Sequence, residues 1–395
     1  MLPKERIQVA LEGGMPDRVP LLLECDYDYM AKAAGREPWE WIHADSLEQA
    51  KIHEARFLRH PSDLWPCWQG PSRAALKQRR IVREGRNAFY VDHRSGRRFR
   101  IDRRGDLLDE NGRPVLLDSE GNPTEARGWL ASGGYPRAVE TESDIPELLG
   151  PVPQPEFWIE DGFLSNLEYL LPRYGDTHFL AFPLNTLFAE MLDLFGGFED
   201  GLVALHTKRQ LVHKALESIV EWKKSRLRAG AALGASGAWM TEYMAGADTI
   251  SPTMYREFVF PYEHELAREA HALGLKVYLW YLGAVMPLLP DIARLEIDAL
   301  FPEQGRKGYE VDIVEVRRRV GNTMCLIGFN DELDLITGNQ DALACEIQRQ
   351  IEGAGRDGAF IMGTTIITEE VPVAHMDSYV EAVQRFGPYE SPAAG

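Results

Sequence analysis

Lys276-Val277-Tyr278-Leu279-Trp280-Tyr281 is a short, mostly apolar run entered through Gly274-Leu275 and left through Leu282-Gly283. Its length and its aromatic and β-branched content suit a strand buried on both faces. Runs of the same kind recur at His178–Pro183, Ala238–Tyr243, Asp298–Phe301, Met324–Gly328 and Ala359–Gly363. Helical patterns separate them. Lys208–Ala229 carries Val212, Leu216, Ile219 and Leu227 near helical spacing, and Tyr255–Leu273 and Val311–Val320 behave alike. Strands alternating with helices give βαβ units and a parallel sheet. Val19–Glu24 and Asp63–Trp68 bring the strands to about eight, which predicts an α/β chain folded as one (β/α)8 (TIM) barrel over residues 1–395. An open doubly wound sheet is the alternative. It loses support because no GxGxxG or GxxxxGK[ST] follows a strand.

Outside this rhythm, Pro3–Leu11 reads as a short amphipathic helix, and Pro146–Pro155 as a Pro-rich connector. Between Leu76 and Arg104, eleven Lys or Arg stand against three acids, alternating with apolar residues as in Phe89-Tyr90-Val91 and Phe99-Arg100-Ile101. Asn111-Gly112 and Glu120-Gly121-Asn122 are turn signals. We read Ile81–Leu117 as one or two β-hairpins, within an insertion spanning 76–130. It is either a solvated excursion offsetting an acidic body or a contact for an anionic partner. For the whole chain, 43 Lys and Arg against 61 Asp and Glu leave a formal net charge of −18. That balance argues against a nucleic-acid binder. No run of about 18 apolar residues predicts a membrane span, and Met1 to Arg18 lacks an apolar signal core. Cys25, Cys67, Cys325 and Cys345 show no metal-ligand spacing, as expected of reduced thiols in a cytoplasmic protein.

In such a barrel, chemistry sits where strands end. The candidates are Glu24, Asp26 and Asp28 after the first strand and Trp68 after the second. Phe182, Asn185 and Thr186 follow the third, and Thr241, Glu242 and Tyr243 the fourth. Trp280 and Tyr281 end the fifth, Glu303 and Gln304 the sixth, and Phe329, Asn330 and Asp331 the seventh. Thr364, Thr365 and Glu369 follow the eighth. This rim is rich in acids, amides and aromatics and poor in Lys and Arg. An aromatic-walled pocket suits a flat, largely apolar small molecule. Acids inside it, Glu242 and Asp331 foremost, are candidate proton donors with raised pKa, and the alternative for both is helix capping.

Several segments carry a family resemblance. Pro3-Lys4-Glu5-Arg6 through Pro16-Asp17-Arg18-Val19-Pro20, Ile250-Ser251-Pro252 with Tyr255-Arg256-Glu257-Phe258 and Pro261-Tyr262, and Leu326-Ile327-Gly328-Phe329-Asn330-Asp331 resemble, in order, segments of the uroporphyrinogen decarboxylase superfamily. The likeness is to its methyltransferase-like branch, the relatives of the cobamide-dependent methyltransferases. Zinc-dependent members of that branch carry His-x-Cys-Gly after the fifth strand and a Cys after the last. The matching positions here are Trp280-Tyr281-Leu282-Gly283 and Gly363-Thr364, so no zinc is expected. The arginine-rich motif with which the decarboxylase branch meets its polycarboxylate is replaced by Glu24-Cys25-Asp26-Tyr27-Asp28. That branch's acid near the second strand matches Asp63 loosely.

The resemblance implies a zinc-independent methyltransferase or demethylase. It would move methyl from a small, aromatic or methoxylated compound to a tetrahydrofolate or to a corrinoid, the latter free or on a separate corrinoid protein. A homodimer would be in keeping with the family. Glu242 and Asp331 are assigned the catalytic role. Asp26, Asp28, Asn185, Tyr243, Trp280, Tyr281, Glu303, Phe329, Asn330 and Thr364 are assigned substrate or cofactor binding, and no residue is assigned to a metal. Two other readings stand beside it. One is a decarboxylase or lyase, which would need a cation such as Arg256 facing the leaving carboxylate. The other is a non-catalytic corrinoid or tetrapyrrole carrier.

Overall fold

Eight parallel strands close on themselves into a barrel, and a separate antiparallel sheet is inserted after the second. The computed structural model describes residues 1–117, 123–125, 135, 137–303 and 308–389. In chain order the strands are β1 Leu21–Leu22, β2 Leu64–Pro66, β3 Arg79–Glu84, β4 Asn87–Asp92, β5 Arg98–Ile101, β6 Leu107–Leu108, β7 Pro114–Leu117, β8 Pro123–Glu125, β9 Phe179–Pro183, β10 Gly237–Glu242, β11 Lys276–Tyr281, β12 Ala299–Pro302, β13 Cys325–Ile327 and β14 Phe360–Gly363. The barrel runs β1-β14-β13-β12-β11-β10-β9-β2 and back to β1. All eight apolar runs read as strands are therefore strands of one (β/α)8 barrel. Their burial on both faces, core on one side and helices on the other, is why they read as continuous apolar runs.

Helices fill the connections where the apolar spacing placed them, with shifted ends. Pro3–Leu11 is a helix, and Lys208–Ala229 corresponds to the helix Arg209–Leu233. Tyr255–Leu273 is split into Pro252–Phe258 and Phe260–Ala272, because Pro261 enters the second helix near its start, where its missing N–H costs nothing. The Pro-rich stretch 146–155 is not a plain connector. Pro146 lies inside the helix Asp144–Leu149, and Pro155 opens the helix Pro155–Glu160. Among the described residues no helix is long and apolar enough to cross a membrane. Cys25, Cys67 and Cys325 are buried free thiols and Cys345 is an exposed one.

The amino-terminal end of the barrel is closed by charge. Asp63, just before β2, is buried and accepts hydrogen bonds from Arg6 Nη1 at 2.6 Å, Arg18 Nη2 at 2.9 Å and the Leu21 backbone N–H at 2.8 Å. Asp63 therefore serves the amino-terminal end of the barrel, opposite the strand ends at which barrel chemistry sits.

The inserted sheet is larger than the one or two hairpins read from its sequence. It has six strands in the order β3-β4-β5-β6-β7-β8. Ala88, Tyr90, Phe99, Ile101 and Leu107 form its own small core, against which Trp39, Ile81 and Val115 pack. Contacts that tie it to the barrel include His43 Nε2 to Gly105 O at 2.8 Å, Arg83 to Glu40 at 2.8 Å, and Arg103 to the Glu369 carboxylate, 2.6 Å at the nearer oxygen. The turn signal Glu120-Gly121-Asn122 lies outside the described residues.

Candidate active site at the barrel mouth

Side chains of successive strand residues alternate between the barrel interior and the helical layer. On β10, Trp239 and Thr241 face inward, and on β11 so do Tyr278 and Trp280. The register pairs Trp239 with Tyr278 and Thr241 with Trp280. With Trp68 after β2, Trp239, Thr241 and Trp280 wall a cavity of about 370 Å³ at the carboxyl ends of the strands. Trp68 meets Trp239 edge-on at 6.3 Å between centroids, Trp239 stacks on Tyr278 at 6.0 Å, and Trp280 stacks on Phe301 at 5.7 Å. Such contacts fix the rings in place before any ligand arrives.

The loop and helix after β9 supply the polar side of the cavity. Asn185 has φ +58°, a left-handed conformation that Asn tolerates better than most residues, and its side chain lines the cavity with Thr186. Glu190 and Asp193 reach the cavity from the helix Phe188–Leu194. The nearby lysine is held behind the wall: buried Lys223 donates to Glu190 Oε2 at 2.6 Å and to Leu184 O at 2.9 Å. Among the described residues no Lys or Arg lines the cavity. Arg256 pairs with Asp291 at 3.0 Å, away from the cavity, so it does not supply the cation that a leaving carboxylate would need.

Beside Trp68 lies Glu24, which ends the inward-facing side of the first strand. Its neighbours in sequence face outward: Arg56 donates to Cys25 Sγ at 3.0 Å and also to the carbonyl of Leu23. Glu24 is 1% exposed. Trp68 Nε1–H donates to its Oε1 at 3.0 Å, and its Oε2 has no hydrogen-bond partner. Burial pushes its pKa up to about 8, partly countered by Arg56 and by the Trp68 hydrogen bond. At neutral pH this carboxyl is largely protonated.

The chain's other strand-end acids lie elsewhere. Glu242 has the opposite parity from Trp239 and Thr241 and points into the helical layer. It accepts from Met244 N at 2.9 Å and Thr186 Oγ1 at 3.2 Å. Glu263 lies beside it and takes a hydrogen bond from Tyr255 Oη at 2.8 Å. Burial raises the pKa of both acids, and the charge of Glu242 raises Glu263 further. Glu242 thus stands behind the cavity wall, reaching the cavity only through Thr186. Asp331 caps the helix Glu332–Thr337, accepting from Leu333 N at 2.8 Å, and Asp26 caps Tyr27–Ala33.

The remaining candidates divide between the cavity and other places. Asn185, Tyr243 and Trp280 line the cavity. Tyr281 points outward and donates to Ala245 O at 2.8 Å. Asp28 lines a separate cleft of about 200 Å³ with Tyr27, Arg104 and Glu369, and burial together with Asp26 raises its pKa to about 6. Phe329 borders a polar cavity of about 430 Å³ on the outer face, near Asp312 and Arg349. Asn330 is buried, accepting from Tyr379 Oη at 3.2 Å, and the Oγ1 of buried Thr364 accepts from Glu24 N at 3.2 Å. Glu303 continues from β12, its N–H donating to Tyr281 O at 2.8 Å. Gln304 lies outside the described residues. Sequence reading missed Trp239, Glu190 and Asp193. Strand parity would have found the first, and the i, i+3 spacing of the acids the other two.

The profile of the uroporphyrinogen decarboxylase (URO-D) family matches residues 185–386. The chain belongs to the uroporphyrinogen decarboxylase family. Among curated relatives it is 24% identical over 252 residues to the methylated-thiol–coenzyme M methyltransferase of Methanosarcina mazei, covering 63% of this chain and 60% of the relative. It is 23% identical over 176 residues to the uroporphyrinogen decarboxylase of Trichodesmium erythraeum, covering 44% and 48%. The matches thus span less than two thirds of these relatives' own lengths. A solved methyltransferase from Methanosarcina mazei superposes with a TM-score of 0.69 at 17% identity, covering 98% of this chain and 99% of that one, which establishes the shared fold.

The three positions at which the family resemblance would put zinc ligands hold Trp280, Leu282 and Thr364. An indole and an isobutyl group offer no metal donor, and the Thr364 hydroxyl is engaged with the Glu24 backbone. Zinc does not fit this set of side chains.

Proposed function

We propose that this member of the URO-D family moves a methyl group from a small aromatic or methoxylated compound to a tetrahydrofolate or corrinoid acceptor without using zinc. The observation that carries the reading is the cavity walled by Trp68, Trp239 and Trp280 at the carboxyl ends of the strands. Its volume, about 370 Å³, suits a small molecule. Three indoles and Tyr243 offer flat apolar surface to an aromatic ring, while Asn185, Thr186 and Thr241 offer hydrogen bonds at its edge. The methylated-thiol methyltransferase relative supports methyl transfer as the reaction class. The same volume is too small to enclose a corrinoid, so a corrinoid acceptor would approach the mouth, free or on a separate protein. A pterin edge could be met by Asn185.

The chain's own residues do three things in this reading. The tryptophans hold the donor and exclude water, Asn185 and Thr241 orient it, and a buried carboxyl supplies the proton that an alkoxide or phenoxide leaving group needs.

The test is a titration of the purified protein with methoxybenzenes, tetrahydrofolate and methylcobalamin, read by tryptophan fluorescence, with total metal assayed in the same sample. Saturable binding of a methoxybenzene and of one acceptor, without stoichiometric zinc, is the expected result. One zinc per chain, or CO₂ release from a carboxylated substrate with no acceptor present, would overturn it.

A further inference from the structure

The cavity at the barrel mouth carries more negative charge than its neighbours neutralise. Glu190 and Asp193 reach it from the helix Phe188–Leu194. Lys223 answers Glu190 from behind the wall at 2.6 Å. The Asp193 carboxylate has no hydrogen-bond or ion-pair partner among the described residues. Burial and the charge of Glu190 raise the pKa of Asp193. Burial, with the charges of Glu242, Asp193 and Glu190, raises that of Tyr243, whose ring lines the same cavity.

The rest of the wall is aromatic. Trp239 and Trp280 are buried and held by stacked neighbours, Tyr278 at 6.0 Å and Phe301 at 5.7 Å. Trp68 stands at 70° to Trp239, so these two indoles make a corner rather than a slot. Trp280, 4% exposed, also has an Nε1–H without a partner. Folded proteins seldom leave such a donor unmet, which marks this wall as built for a ligand.

We infer that the small aromatic compound bound in this cavity is a cation, an alkylated ammonium whose charge is held by the indoles of Trp68, Trp239 and Trp280 and by the carboxylate of Asp193.

The lining carries the assignment by what it favours and what it penalises. The face of an indole is electron-rich and attracts a cation more strongly than any other side-chain ring. An alkylated ammonium spreads its charge over methyl or methylene groups, so it offers apolar surface to those rings as well. A neutral aromatic ligand would also gain from the rings, but in covering the mouth it would take Asp193 out of water with no counter-charge. An anion would meet two acids and, among the described residues, no Lys or Arg of the lining. A small metal ion asks for several oxygen ligands, and one of the two carboxylates is already held by Lys223. The inference rests on reading this cavity as the place where the methyl donor binds, and it names the charge of that donor. It concerns binding alone.

Phenyltrimethylammonium and tert-butylbenzene test it, because they share a shape and differ in charge. The neutral hydrocarbon gains more by leaving water, so a preference for the cation has to come from the site. Titrations read by tryptophan fluorescence are run in about 0.15 M salt, where attraction to the acidic surface is screened beyond ~8 Å. They are expected to show a preference for the cation of about tenfold or more. Asp193→Asn and Trp280→Leu should each cut that preference by about threefold or more. Glu217→Gln removes the same charge from an exposed residue of the helix Arg209–Leu233 and should leave it unchanged. Equal binding of the two probes by the wild type, or a preference that survives both cavity substitutions, would overturn the inference. Equal binding together with methyl release from methoxybenzene would overturn it and leave the methyl-transfer reading standing. A preference that depends on Asp193, with no methyl released from any methoxylated compound to either acceptor, would support the cation site and overturn the methyl-transfer reading instead.

Discussion

Glu24 and Glu242 are both buried glutamates at the carboxyl ends of barrel strands, and they face opposite sides of the barrel wall. Glu24 shares the interior with Trp68 and Tyr278, while Glu242 shares the helical layer with Glu263 and Tyr255. The consequence is testable by exchanging each for the neutral isostere. Glu242→Gln keeps an acceptor for Met244 N and Thr186 Oγ1 and should leave the rate of methyl release within a few fold. Glu24→Gln, beside the cavity wall Trp68, should lower it more. Rates in the reverse order, from single-turnover measurements at pH 7, would give the acid role to Glu242. Nothing in the residue types separates these two glutamates. Both end apolar runs, and only the strand register, which is fixed by pairing across the sheet, says which one faces the barrel interior. Trp280 was legible because it lies in the same short run as its neighbours. Trp239, two positions before Thr241, is marked as facing inward only by strand parity. Asp331 shows the opposite case: the pattern of an acid just ahead of a helix carries both meanings, and here it is a cap. Asp331→Ala should cost about 0.5–2 kcal/mol of stability, as lost caps do, and should leave methoxybenzene binding unchanged.

Strands and helices were read well because each barrel strand is buried on both faces and each helix on one, and both conditions leave a periodic mark. Turn-rich excursions leave a weaker one. The inserted sheet has strands as short as Leu107–Leu108, too brief for alternation to register, which is why six strands read as one or two hairpins. Two predictions belong at this scale. Gly230, in the helix Arg209–Leu233, lies against Phe182 of β9, and a Cβ there would stand 2.1 Å from its ring. Gly230→Ala should therefore destabilise by about 1–3 kcal/mol through overpacking, read by urea denaturation. Asp63 joins the amino-terminal helix to β2 through Arg6 and Arg18. Asp63→Ala leaves Arg6 with Asp17 alone and the Leu21 N–H without its acceptor, and should cost about 1–3 kcal/mol. It should not alter methoxybenzene binding, because it acts at the far end of the barrel.

For the molecule as a whole, a net charge of −18 and several buried acids make stability depend on pH in a definite direction. Glu24, Glu242 and Glu263 all have pKa values raised by burial. The folded state therefore holds protons that the unfolded chain has already released above about pH 4.5, and stability should fall as pH rises from there through about 8. Melting temperatures from pH 5 to 8 should fall with pH in the wild type. They should fall less in Glu263→Gln, which retains an acceptor for Tyr255; equal slopes would show that the Glu242–Glu263 pair does not titrate in this range. Function at this scale reduces to whether the tryptophan-walled cavity releases a methyl group. The most direct measurement supplies methoxybenzene carrying a ¹³C-methyl, with tetrahydrofolate or reduced corrinoid, to protein freed of metal by chelation, and follows the label by NMR. The expected result is phenol together with the label on one acceptor, at a rate that zinc does not increase. Label remaining on methoxybenzene with both acceptors, or appearing on an acceptor only after zinc is restored, would contradict it.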